Sequence, residues 1–108
     1  MEQLNLGEMQ ALQTALQEQY KEKWGGLYPE KAVQMMLWMM AEMGEAAQII
    51  KKRGSDSIMA DQAVRADFVE EMCDVLMYFN DILLCFDISP EEFAAIYRQK
   101  NERNMNRW

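Results

Sequence analysis

Histidine is absent from this 108-residue chain, and cysteine and proline occur only twice each. Without imidazole, di-iron carboxylate bundles lose the Glu-x-x-His motifs that complete their sites. Nucleophilic triads of the Ser-His-Asp kind lose their base. The five glycines are scattered and build no phosphate-cradling loop. Cys73 and Cys85 lack CxxC spacing and nothing resembles a secretion signal, so a reduced, cytoplasmic setting with both thiols as small core residues is expected. Positive charge is also short, with 11 Lys and Arg against 18 Asp and Glu, a net charge of −7. That balance argues against a nucleic-acid polymer or a membrane surface as partner. A phosphorylated substrate stays open, because a bound metal ion reverses the local field. No apolar run approaches the roughly 20 residues that span a bilayer.

Half of the residues are hydrophobic, and they are aliphatic and Met-rich rather than β-branched. This favours helix over sheet, and no alternating strand pattern appears. The chain reads as one all-α domain, residues 1–108, of four helices. The first runs from about Leu6 to Glu22 and ends at Trp24-Gly25-Gly26. Pro29 starts the second, which stops at Gly54 after Arg53. Ser55-Asp56-Ser57 is turn-like, followed by a short helix or ordered loop. The third covers about Ala63 to Phe86. Ser89, Pro90 and Glu92 supply an N-cap, a first-turn proline and a capping-box glutamate for the fourth.

At about 100° per residue, the third helix divides into two stripes. Phe68, Met72, Leu76, Phe79, Leu83 and Phe86 form the apolar one; Asp67, Glu70, Glu71, Asp74, Tyr78 and Asp81 form the other. The second helix is apolar nearly all round. Val33, Met36, Leu37, Met40, Met43 and Ala47 occupy one face, while the side bearing Glu42 and Glu45 also holds Met35, Trp38 and Ile49. Such a helix is expected to be buried centrally.

Glu42-x-x-Glu45 and Glu71-x-x-Asp74 each place two carboxylates on one helix face, so facing helices would converge four acids on one point. An acidic stripe is ordinarily a solvated surface. The apolar setting of Glu42 and Glu45 argues otherwise, since no Lys or Arg lies between Lys31 and Lys51 to pair with them. A shared divalent cation resolves the cost. With oxygen the only donor type in quantity, Mg²⁺ or Mn²⁺ is the expected ion. Lys100, Asn104 and Arg107 fall at i, i+4 and i+7 of the fourth helix and either grip phosphate oxygens or simply favour a helix C-terminus. Tyr78 could donate its hydroxyl to a carboxylate or phosphate, or cap the core edge. Trp38, Trp24 and Met39 are candidates for an apolar base pocket, with Trp38 alternatively plain core.

Ala41-Glu42-Met43-Gly44-Glu45 followed by Glu70-Glu71-Met72-Cys73-Asp74 resembles the EExxE…ExxD signature of the MazG-like all-α NTP pyrophosphatases. The Lys100…Asn104-x-x-Arg107 ending is similar to that superfamily's tail, including its dCTP pyrophosphatase branch. The resemblance implies a four-helix bundle-like fold that oligomerises through helix packing into a homodimer or homotetramer. It implies cleavage of a nucleoside triphosphate between the α and β phosphates, in housecleaning of the nucleotide pool. Carried over by position, Glu42, Glu45, Glu71 and Asp74 would hold Mg²⁺. Lys100, Asn104 and Arg107 would contact the triphosphate, with Tyr78 nearby, and Glu45 or Glu42 would act as base. Ala41 departs from the pattern where the first Glu stands in relatives, and Glu70 is a potential substitute. That departure leaves an alternative: a helical interaction module with a vestigial site, or a metal-binding bundle without hydrolysis.

Overall fold

A computed structural model describes residues 2–108. Four long helices carry the chain: α1 (Leu6–Gln19), α3 (Ala32–Arg53), α5 (Gln62–Cys85) and α6 (Pro90–Met105). Between them lie the short helices α2 (Lys21–Trp24) and α4 (Ser55–Ala60) and a 3-10 turn (Pro29–Lys31). No strand occurs among the described residues.

Local chemistry explains the boundaries. Asn5 caps α1 in a capping box, its side chain accepting from the Glu8 N–H at 2.8 Å while Glu8 accepts from the Asn5 N–H at 3.0 Å. The expected single first helix breaks at Tyr20, whose backbone leaves helical geometry before α2 resumes. Gly25 then ends α2 at φ 85°, where a Cβ would be strained. Lys31 locks this corner, donating to the carbonyls of Trp24 and Gly26. Asp61 caps α5 by accepting from Ala63 and Val64, and Ser89 caps α6 by accepting from Glu92 at 3.1 Å.

The principal unit is an antiparallel pair of α3 and α5, with α4 as its connector and α1 laid along α5. Each helix presents a heptad-like stripe to this pair. On α3 it runs Ala32, Met35, Met39, Glu42, Ala46, Ile49, all buried or half-buried. On α5 it runs Val64, Phe68, Glu71, Val75, Tyr78, Ile82, Cys85. Steps alternating between three and four residues are the signature of helices packed along a shared seam. Ala32, Met35 and Cys85 form the best-buried cluster, against Leu27, Tyr78 and Ile82.

Two expectations need correction. The face Val33, Met36, Leu37, Met40, Met43 is exposed, Val33 at 68 % and Leu37 at 59 %, so α3 is not buried all round within this chain. On α5 both expected stripes contribute to the interior: Leu83 is buried and Phe68 and Phe79 half-buried, but Met72, Leu76 and Phe86 of the apolar stripe are exposed, while Glu71, Tyr78 and Asp81 turn inward. The chain also spreads widely. Its radius of gyration is 16.2 Å, against about 13 Å for a compact chain of this size. Its accessible surface is 8464 Å², against about 6200 Å² expected for a globular monomer of this mass. Contact between α6 and the rest of the bundle includes an edge-to-face pair, Phe93 on Phe79 at 5.3 Å.

Candidate metal centre and adjoining cavity

Glu42 and Glu71 occupy seam positions that an aliphatic residue would ordinarily fill. Both sit mid-stripe, and the antiparallel pairing sets them opposite one another. Glu45, one turn beyond Glu42 and exposed, completes the group: one carboxylate oxygen from each of Glu42, Glu45 and Glu71 lies within 4.8 Å of the other two. Oxygens bound to one Mg²⁺ at 2.0–2.1 Å are separated by about 3–4 Å, so small side-chain adjustments bring this set to coordinating distance.

The electrostatics are those of a site lacking positive charge. Glu42 Oε2 and Glu71 Oε2 are buried and make no hydrogen bond. Glu42 is pushed up to about 7, first because it holds a proton shared with Glu71, then through Glu45 and burial. Sharing that proton favours the ionised form of Glu71, but burial and the charges of Glu45 and Asp74 outweigh it, and its net shift is upward. Two orphaned carboxylate oxygens against three converging acids fit a hard divalent cation, and the donor set offers nothing for a soft one.

Asp74, the fourth expected ligand, lies outside the three-carboxylate group. It is half-buried one turn along α5 and, with Glu42, is among the residues lining a cavity of about 630 Å³. Trp38 and Tyr78 form part of the cavity wall with ring centroids 6.0 Å apart. Tyr78 is raised by burial and by the neighbouring charges of Glu42, Asp74 and Asp81, which keeps its hydroxyl a proton donor. Trp24 lines the same cavity, whereas Met39 is in the α3 seam rather than among the lining residues.

The tail is placed differently. Lys100, Asn104 and Arg107 are all exposed, and none lines the cavity of this chain. Because α6 ends at Met105, Arg107 falls beyond the helix and does not share the expected face with Lys100 and Asn104; its guanidinium lies 4.7 Å from the Trp108 ring centroid. Ala41 and Glu70 are exposed.

Sequence reasoning missed the far wall of the cavity. Gln13 and Gln17 of α1 are buried and donate to Asp81 of α5, at 2.9 Å to Oδ1 and 3.3 Å to Oδ2. Burial raises Asp81, while the two amides and the charge of Lys31 oppose the shift. Gln10 continues the stripe, donating to the Ile88 carbonyl at 3.3 Å. The signal was the spacing Gln10, Gln13, Gln17, a carboxamide row on one helix face beside apolar neighbours.

No protein-family model, curated protein or solved structure matches the chain.

Proposed function

We propose that this chain is a Mg²⁺- or Mn²⁺-dependent nucleoside triphosphate pyrophosphohydrolase of the MazG-like kind, cleaving between the α and β phosphates and acting as a homodimer or homotetramer. The observation that carries the reading is the pair Glu42–Glu71: two carboxylates in an apolar helix seam, each with a buried unpartnered oxygen, of which Glu42 also lines an aromatic-walled cavity. An aliphatic pair would fill the same seam positions without the repulsion, which favours a role for the two acids beyond packing.

Glu42, Glu45 and Glu71 would hold the cation, with Asp74 positioned to join them. When bound, the cation supplies neutralising charge to a triphosphate and acidifies a coordinated water. Among the chain's own residues, exposed Glu45 is free to take a proton from the attacking water, and Glu42 is the other candidate base. Tyr78 orients an oxygen of substrate or carboxylate through its hydroxyl. Trp38 and Trp24 cover the nucleoside and exclude water. Lys100, Asn104 and Arg107 would grip the outer phosphates only after assembly or a movement of α6 brings them to a cavity, since they do not line it here.

The exposed α3 face supports assembly. Val33, Leu37, Met40 and Met43 form a continuous apolar strip, and the excess of accessible surface is of the size that permanent dimers bury. A second copy of the chain is the proposed occupant. The same strip, together with Ala41, supports the rival reading of an interaction module with a vestigial site. The two part on one experiment: incubation with a panel of dNTPs and NTPs plus Mg²⁺. Release of pyrophosphate with a matching monophosphate supports the enzyme; a homogeneous, folded oligomer that turns over nothing supports the module.

A further inference from the structure

The first helix is held to the rest of the protein by polar groups. Its fully buried residues are Gln10, Gln13 and Gln17. Gln10 donates to the Ile88 carbonyl, and Gln13 and Gln17 donate to the Asp81 carboxylate. Met9 adds its sulfur, which accepts from Asn80 Nδ2 at 4.0 Å, while Leu12 is exposed. Water replaces partners of this kind when a helix lifts, so they hold it less firmly than an apolar stripe would. The interface also carries costs. Gln17 Oε1 and Asn80 Oδ1 are buried without partners. Asp81 is 3 % exposed, and burial pushes its carboxyl up against the opposing pull of the two amides and Lys31. Water entering beneath a raised α1 relieves all three groups.

Tyr20 makes α1 and α2 one body. Its N–H donates to the Leu16 carbonyl, its own carbonyl accepts from Trp24, and its ring stacks on Trp24 with centroids 4.6 Å apart. Beyond Trp24 stand Gly25 and Gly26, both left-handed at φ 85° and 76°. A Cβ added at either would meet nothing nearer than 3.9 Å, so what this pair supplies is backbone freedom rather than close packing. Lys31 spans the pair, donating to the carbonyl of Trp24 on one side and of Gly26 on the other. Leu27, just past the glycines, already packs on Ala32, Met35 and Cys85. The body before the glycines covers the cavity, contributing Gln13, Leu16, Gln17, Lys23 and Trp24 to its lining.

We propose that α1 and α2 form a lid over the cavity, hinged at Gly25–Gly26 and clasped by the bonds of Gln13 and Gln17 to Asp81 and of Lys31 to Trp24. Lifting it uncovers Trp38, Tyr78 and Glu42, and closing it shuts water out from an occupant. An occupant that touches Leu16 or Trp24 gains those contacts only in the closed form and shifts the balance toward it. The lid depends on the cavity and not on the pyrophosphohydrolase reading.

Native-state hydrogen exchange on the full chain reads the opening segment by segment. Off α5, a helix of 14 residues is too short to keep its hydrogen bonds in water, so lifting registers as exchange. The amides of α1 and α2 should exchange as one unit, at least about tenfold faster than those of the α3 and α5 seam. Asp81→Asn should tighten the lid. The carboxamide keeps the Gln13 bond, donates to Gln17 Oε1 once that side chain turns over, and leaves no buried charge, so exchange of the unit should slow about tenfold. Lys31→Met should quicken it. The wild-type profile stands by itself if a variant does not fold. Exchange of α1 at the seam rate, fraying graded from Leu6 without a common rate, or a folded Asp81→Asn protein whose α1 exchanges no more slowly overturns the proposal. A dNTP panel with Mg²⁺ separates this proposal from the enzymatic reading. A unit that opens and is slowed by no nucleotide keeps the lid and counts against a nucleotide occupant. Nucleotide hydrolysis by a protein whose α1 exchanges at the seam rate does the reverse.

Discussion

Glu42 of α3 and Glu71 of α5 meet across the helix seam, each with its Oε2 buried and without a hydrogen-bond partner. Both stand at heptad positions between apolar neighbours, so packing presses them together while electrostatics drives them apart. The protein's behaviour toward pH and cations follows from that conflict.

Stability of the metal-free protein should fall as pH rises. Glu42 titrates from 4.5 in the unfolded chain to about 7 in the fold, so the folded state binds the proton more tightly. Its contribution is fully present below about 4.5 and is lost as pH rises through about 7; Glu71, shifted in the same direction, adds to it. Mg²⁺ competes with that proton and should raise Tm more at pH 8 than at pH 5. Thermal melts with and without Mg²⁺ at both values check this, and equal stabilisation would argue against a shared carboxylate site.

Glu71→Gln should separate stability from binding. Removing one of the opposed charges relieves repulsion, so metal-free Tm at pH 8 should hold or rise by a few degrees. Stabilisation by Mg²⁺ should vanish, and any pyrophosphohydrolase activity should drop about a hundredfold or more. A variant that loses Tm yet keeps its Mg²⁺ response would assign Glu71 to packing alone.

Leu37→Asp, at the centre of the exposed α3 strip, should convert the assembly to a monomer in sedimentation or light scattering. Leu37 is 59 % exposed within one chain, so a monomeric protein would tolerate the charge with little change in Tm. A wild-type chain that is already monomeric contradicts the proposed second copy.

Lys31→Met should destabilise the corner between α2 and α3. Lys31 is buried and satisfies the carbonyls of Trp24 and Gly26, and losing both bonds corresponds to about 1–3 kcal/mol. Denaturant titration reads the loss. No change would show that solvent replaces the ammonium at no cost.

Helix positions were legible in the sequence because punctuation fixed them: Gly25, Pro29, Gly54, Ser89 and Pro90 all mark observed boundaries. The short segment after Gly54 and the break at Tyr20 were less so: Ser55-Asp56-Ser57 suits a turn as well as the first turn of α4, and Tyr20 is no helix breaker. Which residues of α5 turn inward was legible in part. Phe68, Phe79 and Leu83 of the apolar stripe are buried or half-buried, but Glu71, Tyr78 and Asp81 also turn inward, and Met72, Leu76 and Phe86 remain exposed in one chain. Hydrophobicity alone cannot distinguish an intrachain seam from a surface awaiting another copy. The carboxylates were legible as a group through their spacing, with Asp74 set apart only by side-chain geometry. Gln13 and Gln17 are marked in the sequence only as part of a carboxamide row on α1, and their partnership with Asp81 was not legible because it joins α1 to α5 across 64–68 residues.

Glu42, Glu45 and Glu71 are proposed to form a metal centre serving triphosphate cleavage. Its most direct test is pyrophosphate release from a dNTP and NTP panel by wild-type and Glu45→Gln protein, with Mg²⁺ and with chelator. Wild type should release pyrophosphate in Mg²⁺ only, with equimolar monophosphate, and Glu45→Gln that still folds should lose the activity almost completely. Release that survives chelation, or that is undiminished in Glu45→Gln, would contradict it.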